Sequence, residues 1–326
     1  MAHRSSVVFD RCFAILACFL AWPHAVPAQE YPVKPVRVVI PFPPGGGSDT
    51  IARVLAQRLT GALGQQMVAD NRAGASGNIA AELVARSAPD GYTLLFGNSS
   101  LSISPAVFQK LAYDPVKDLM PISMVSSYPF VLVVHPSLPV KSVKELGALA
   151  RAKPDALSYS SAGAGTMSHL AMELMRLKTG IRITHLPYKG AAPASVGVMS
   201  GEAQVSFLVL PVAQAQIKAG RLRGLGVAAK ARSAVVPQVP TMHEAGVDHE
   251  ALQWNGLFAP AGTPPAIIDR LHRETAKAVV APEVRQRFEA EGADPVGSSP
   301  GDFAAFYRVE AEKWADVAKR SGTKLD

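Results

Sequence analysis

The stretch at positions 40–49, Ile-Pro-Phe-Pro-Pro-Gly-Gly-Gly-Ser-Asp, constrains this chain more than any other. An apolar run at 36–40 reads as a strand, and a Pro/Gly loop follows it. After the loop, Ile51, Val54, Leu55, Leu59 and Leu63 recur at helical spacing and define one buried face. Ser48 or Asp49 is placed to cap that helix. Three successive glycines permit positive φ and put no side chain in the way of a ligand. A helix start opened by such a loop is a place for an anion, although many strand–helix connections use glycines only to turn a corner.

The device recurs. An expected strand at 157–161 runs into Ala162-Gly-Ala-Gly-Thr166, and a helix at 167–178 follows, with Leu170, Leu174 and Leu177 as its stripe and Gly180 as its stop. Between the two units the pattern predicts strands at 66–68 and 92–96, a helix at 79–86 and a helix at 141–152 capped by Ser142. It also predicts a long strand-like run at 122–134, broken at Pro129. Further strands are expected at 181–186, 203–210, 222–228 and 253–258, with a helix at 192–200. Near the end, Thr263 is read as the cap of a helix opened by Pro264, and Pro282 opens another. Ser299 to Asp302 resembles a capping box before a last helix whose Phe303, Phe306, Tyr307, Trp314 and Val317 belong in the core. Alternating strands and helices argue for an α/β fold with mainly parallel sheets. Ligands of such sheets sit beyond the carboxyl ends of the strands. Two such loops, one in each half, therefore suggest two α/β domains facing across a cleft.

Residues 1–28 have the layout of a signal peptide. Arg4 and Arg11 are its basic start, 12–22 is an apolar core, and Val26-Pro-Ala28 is a cleavage site. A competing reading lipidates Cys18 in Leu16-Ala-Cys. Cys12 and Cys18 are the only cysteines, so a chain cut after Ala28 has no thiol for a disulfide, metal site or catalysis. That suits an exported protein. The remaining 298 of 326 residues are enough for two domains. The formal charge of +7 falls to +6 without Arg4, Arg11 and Asp10, and the basic residues are scattered. With no basic stripe interleaved with aromatics, nucleic acid is not an expected partner. A mild positive field favours small anions.

The motifs together resemble the substrate-binding proteins of tripartite tricarboxylate transporters, the TctC or Bug family of periplasmic receptors. The resemblance covers nearly all of the chain after residue 28. It rests on YPVKPVRVVIPFPPGGGSDTIAR (31–53), NRAGASGNIAAELVARSAPDGYTLLFG (71–97), YDPVKDLMPIS (113–123), SSAGAGTMSHLAMELM (160–175), HLPYKG (185–190), IKAGRLRGLGV (217–227), VPTMHEAG (239–246) and WNGLFAPAGTP (254–264). It implies a two-domain periplasmic-binding-protein fold of type II-like architecture, closing on a small carboxylate. Residues 29–126 and 253–326 would form the first domain and 127–252 the second, with hinges near 126–129 and 252–254. Carried over residue by residue, the resemblance implies ligand contacts from Phe42, Gly45, Gly46 and Ser48 in the first loop. In the second loop it implies Ser161, Gly163, Gly165, Thr166 and His169, with Asn98 and Ser99 lining the pocket. Asp49 is expected to cap its helix. Many members carry an Asp after the Phe of the 203–210 strand, where this chain has Phe207-Leu208. Leu208 cannot pair an ammonium, so the expected ligand is a carboxylate without an amino group: a di- or tricarboxylate or an aromatic acid.

The implied partners are the membrane subunits of such a transporter or a periplasmic sensor domain, with the receptor itself a monomer. No cofactor or metal is implied, and the histidines have no metal-binding spacing. An enzyme is disfavoured. No phosphate-binding P-loop, complete G-x-G-x-x-G or G-x-S-x-G elbow is present, and no motif places a carboxylate to orient a Ser161–His169 pair.

Overall fold

The computed structural model describes residues 31–45 and 47–325; the expected leader and Gly46 lie outside the described residues. The first half is built on three parallel strands, β1 (Val36–Ile40), β2 (Met67–Asn71) and β3 (Thr93–Asn98), with β1 in the middle. Helices α1 (Gly47–Leu63), α2 (Asn78–Ala85) and α3 (Ser100–Val107) follow them in turn. Ile51, Leu55, Leu59 and Leu63 are all buried, as their spacing requires, while Val54 packs at the margin of the same cluster.

Strand β4 (Leu119–Val134) runs 16 residues without interruption. The expected break at Pro129 does not occur, because the strand changes partners there. Up to Pro129 it pairs antiparallel with β9 (Leu252–Pro260). From Phe130 onward it lies between β7 (Val205–Val209) and β8 (Arg223–Val227), both antiparallel to it. A proline has no N–H to give a ladder, and a partner change is a position where none is missed. Beyond β7 come β5 (Ser158–Ser161) and β6 (Thr184–Pro187), parallel to it, so each half carries three parallel strands flanked by the long antiparallel ones.

Helices α4 (Val143–Ala152), α5 (Met167–Thr179), α6 (Ala191–Met199) and α7 (Leu210–Lys218) belong to the second half. Ser142 caps α4 through the Glu145 N–H at 3.1 Å, as expected. Gly180, at φ +67°, ends α5. The chain then forms α8 (Pro265–Val280), α9 (Pro282–Ala290), a two-residue strand β10 (Asp294–Pro295) and α10 (Pro300–Ser321). Thr263 is not the cap of α8, because its hydroxyl donates to the Pro260 carbonyl at 2.8 Å. Ser299 does cap α10, taking the Asp302 N–H at 3.1 Å.

Helix α10 packs on both halves. Phe303 and Tyr307 join Trp254 and Phe258 in one buried cluster, and Trp314, Val317 and Ala318 join Leu170, Met172 and Phe207 in another. Gly256 makes room for the first contact. A Cβ there would lie 2.2 Å from the Phe303 ring, which meets Trp254 edge-on with centroids 5.5 Å apart. Among the described residues, no helix is long and apolar enough to cross a membrane.

Candidate functional site

A cavity of about 160 Å³ opens where the halves meet. The first half gives Phe42, Asn98 and Ser100, and the long strands β4 and β9 give Phe130 and Gln253. Ala162, Thr166, Met167 and Ser168 come from the β5–α5 turn, Ala191 and Ala194 from α6, and Phe207, Leu208, Val209 and Val212 from β7 and α7. No charged side chain lines it among the described residues.

Four helices begin at this cavity: α3 at Ser100, α5 at Met167, α6 at Ala191 and α7 at Leu210. The first N–H groups of a helix lack intrahelical partners, and its start carries roughly half a positive charge. None of the four has an acidic residue in its first turn. Elsewhere α1, α4, α9 and α10 do, with Asp49, Glu145, Glu283 and Asp302. The cavity therefore has a positive potential made by dipoles rather than by cations.

Its polar lining is already ordered. Thr166 donates its hydroxyl proton to the Gly163 carbonyl at 2.7 Å, so the 3.1 Å contact between Thr166 Oγ1 and Ser168 Oγ must carry the Ser168 proton. Ser168 Oγ also accepts the Ala162 N–H at 2.9 Å. Asn98 Oδ1 takes the Ser100 N–H at 3.0 Å, which leaves Nδ2 as the donor that side chain can offer. The remaining lining is apolar, with Phe42, Phe130 and Phe207 the bulkiest members.

Of the residues expected at the site, Phe42, Asn98, Thr166 and Leu208 line the cavity. The other described ones are not part of its lining. Gly45, at φ +86°, gives its N–H to Asp49 Oδ2 at 2.9 Å. Ser48 gives its hydroxyl to Asn255 Oδ1 at 2.9 Å, and Asn255 in turn gives an N–H to Ser126 Oγ at 3.0 Å. Ser99 is buried and donates its N–H to the Trp254 carbonyl at 3.1 Å. Ser161, also buried, sits 2.6 Å from His185 Nε2. Gly163 and Gly165 shape the second loop, at φ +138° and +71°. His169 is buried behind that loop with Nδ1 accepting the Gly165 N–H at 3.0 Å. Gly46 lies outside the described residues.

Asp49 is held in the first turn of α1 rather than at its cap. It accepts from Gly45, from Asn71 Nδ2 at 2.8 Å and from Arg53 Nε at 2.9 Å. Burial alone would raise its carboxyl, but the bonds from Arg53, Asn71 and Gly45 outweigh that and keep it below the usual carboxylate range.

Lining residues that sequence reasoning missed are Ser100, Phe130, Ala162, Met167, Ser168, Ala191, Ala194, Phe207, Val209, Val212 and Gln253. Ser168 carried a readable signal, since it stands within the first turn of the helix that follows the second loop. Phe130 and Gln253 carried none, because only the partner change in β4 brings them to the cavity.

Three parallel strands in each half, long antiparallel strands between them and a cavity at the junction make a periplasmic-binding-protein fold. The comparisons with known proteins agree. Residues 51–323 match the model of the tripartite tricarboxylate transporter family receptor, TctC, and the chain belongs to that family. The protein BugT of Bordetella pertussis is 38% identical over 321 residues, 97% of this chain and 98% of that one. Among solved structures, Rpa4515 of R. palustris with adipate is 36% identical and covers 91% of this chain and 100% of its own, with a TM-score of 0.79. MatC of Rhodopseudomonas palustris with bound malate is 33% identical, covering 88% and 99%, with a TM-score of 0.76. Among the described residues no group of three or more His, Cys, Asp or Glu is placed to hold a metal ion.

Proposed function

We propose that this protein is a periplasmic receptor that captures a small carboxylate lacking an amino group, in the cavity between its halves, and delivers it to a tripartite tricarboxylate transporter. The observation that carries the reading is a cavity with no charged side chain among its described lining residues, ringed by four helix starts without first-turn acids. Such a lining favours an anion and offers no carboxylate to an ammonium. The relatives solved with adipate and malate hold ligands of this kind.

Magnitudes support the reading. Charge-assisted hydrogen bonds contribute roughly 1.5–3 kcal/mol each, and a helix start adds about 0.3–2 kcal/mol. Two or three such bonds with several helix starts approach the roughly 8 kcal/mol of micromolar binding. The apolar wall at Phe42, Phe130, Phe207 and Leu208 suits an aliphatic or aromatic body. In this reading residues 29–126 with 253–326 move against 127–252, the leader is removed after Ala28, and the protein has no catalytic role.

The test is calorimetry on residues 29–326 with adipate, malate, benzoate, aspartate and glutamate. The expected ranking puts the non-amino acids first. Leu208→Asp should weaken them about tenfold or more through like-charge repulsion. Aspartate or glutamate binding most tightly to the unaltered protein would sink the reading.

A further inference from the structure

Two imidazoles, His169 buried and His185 half-buried, hold the β5–α5 loop from behind, one for each of its left-handed glycines. His185, on β6, places Nε2 2.6 Å from Ser161 Oγ. That hydroxyl oxygen accepts the Gly163 N–H at 3.2 Å and lies 3.1 Å from the Gly163 carbonyl. His169, in the first turn of α5, accepts the Gly165 N–H at Nδ1. The two rings stack with centroids 4.0 Å apart and planes 8° apart, and Tyr159 continues the stack on His185 at 4.7 Å.

The Gly165 bond fixes a tautomer. An Nδ1 that accepts is unprotonated, so the neutral ring carries its proton on Nε2, which faces Glu173 Oε1 at 3.7 Å. A second proton, on Nδ1, would set N–H against N–H and release the glycine. Neither imidazole lines the cavity, yet Ala162, Thr166 and Ser168, which do, belong to the loop and helix start that they hold.

We propose that His169 and His185 are positioning residues for ligand capture: stacked imidazoles that set the backbone at Gly165 and Gly163 and so place Ala162, Thr166 and Ser168 in the cavity. The proposal rests on the reading of that cavity as the ligand site. The groups facing the pair are Tyr159 from β5, and Glu173 and Arg176 from α5. Tyr159 donates to Glu173 at 2.6 Å, and Arg176 donates to both Glu173 oxygens at 2.8 Å. Burial lowers the pKa of both imidazoles. His185 is pulled to about 3, with His169 and Arg176 adding to the effect, while Glu173 partly opposes the fall at His169. Both shifts favour the uncharged form of the rings.

The experiment pairs His169→Ala and His185→Ala with His169→Asn, whose oxygen can accept the Gly165 N–H, and His185→Gln, whose amide can donate to or accept from Ser161 Oγ. Two quantities are read: hydrogen exchange at the Gly163 and Gly165 amides in the ligand-free protein, and affinity for the acid that binds unaltered protein best. The alanine variants should lose amide protection and bind about tenfold more weakly, as expected for roughly 1.4 kcal/mol of lost positioning. The amide variants should keep protection and bind within about threefold of the unaltered protein. Alanine variants with unchanged protection overturn the proposal. So do folded amide variants that keep protection yet bind as poorly as the alanine variants, since the rings would then act by direct contact. If the unaltered protein binds none of the acids, the function reading fails, and the exchange arm still decides whether these imidazoles hold the loop.

Discussion

At the β1–α1 loop the amide of Gly45 is answered by Asp49, a carboxylate; at the β5–α5 loop the amide of Gly165 is answered by His169, a neutral imidazole. In each case the acceptor stands four residues after the glycine, in the first turn of the helix. The geometry is shared and the charge is not. Asp49 cancels the positive end of its own helix before any ligand arrives, whereas His169 ties down the backbone and leaves the helix end of α5 unopposed. A glycine loop before a helix is therefore not by itself a measure of anion affinity. What decides is which group takes its amides.

The comparison can be broken most sharply at Gly163. Its φ is +138°, and a Cβ added there would lie 3.2 Å from the Tyr188 carbonyl oxygen, which leaves no room for a β-branched residue. Gly163→Val should cost about 1–3 kcal/mol of local strain, read by calorimetry as roughly a ten- to hundredfold loss of carboxylate affinity with the circular dichroism of the fold retained. Unchanged affinity would mean that the second loop does not receive the ligand. His169→Asp comes next, because it copies the first loop's acceptor onto the second. It should keep the Gly165 bond and still weaken acid binding about tenfold, since a resident carboxylate now competes for the same dipoles.

Asp49→Asn should act on stability rather than on binding. Affinity is expected to change by less than about threefold, while denaturant unfolding should show a loss of about 1–2 kcal/mol from the weakened bonds to Gly45, Asn71 and Arg53. The folded-state pKa of Asp49 is lowered, so its contribution is present above the ordinary carboxylate pKa of about 4 and fades as pH falls through the lowered value. The variant should accordingly lose less stability on acidification than the parent. The smallest expected effect is that of salt. Raising ionic strength from about 0.05 to 0.5 M should change the dissociation constant by less than about twofold, because no ion pair with the lining is there to be screened.

Much of this architecture was legible in the residues. Hydrophobic spacing places α1, α5 and α10, and the strand–loop–helix units at 36–63 and 158–179 stand where their pattern puts them. Two short helices were not foreseen. Helix α3 carries Pro105 and three serines in eight residues, and α7 begins at Leu210-Pro211 directly after a strand, so neither has a periodic stripe strong enough to read. Both nevertheless start at the cavity. The site was half legible for a related reason. Phe42, Asn98, Thr166 and Leu208 stand at or near strand ends, whereas Phe130 and Gln253 arrive through the pairing of β4 with β7 and β9, strands distant from it in sequence. The fate of individual amides could not be read at all, since a hydrogen bond between Gly165 and His169 leaves no trace in composition.

That no cation stands in the cavity wall among the described residues also sets the range over which the protein can feel its ligand. The field of a dipole falls away faster with distance than that of a charge, so four helix starts act strongly within a few ångströms and hardly at all beyond the mouth. Long-range attraction is left to the chain's diffuse positive charge, which is weak and indifferent to the kind of anion. Encounter and recognition are thus handled by different parts of the molecule. Anions of many kinds will be drawn toward its surface, and discrimination begins only after the water between acid and helix ends has been shed.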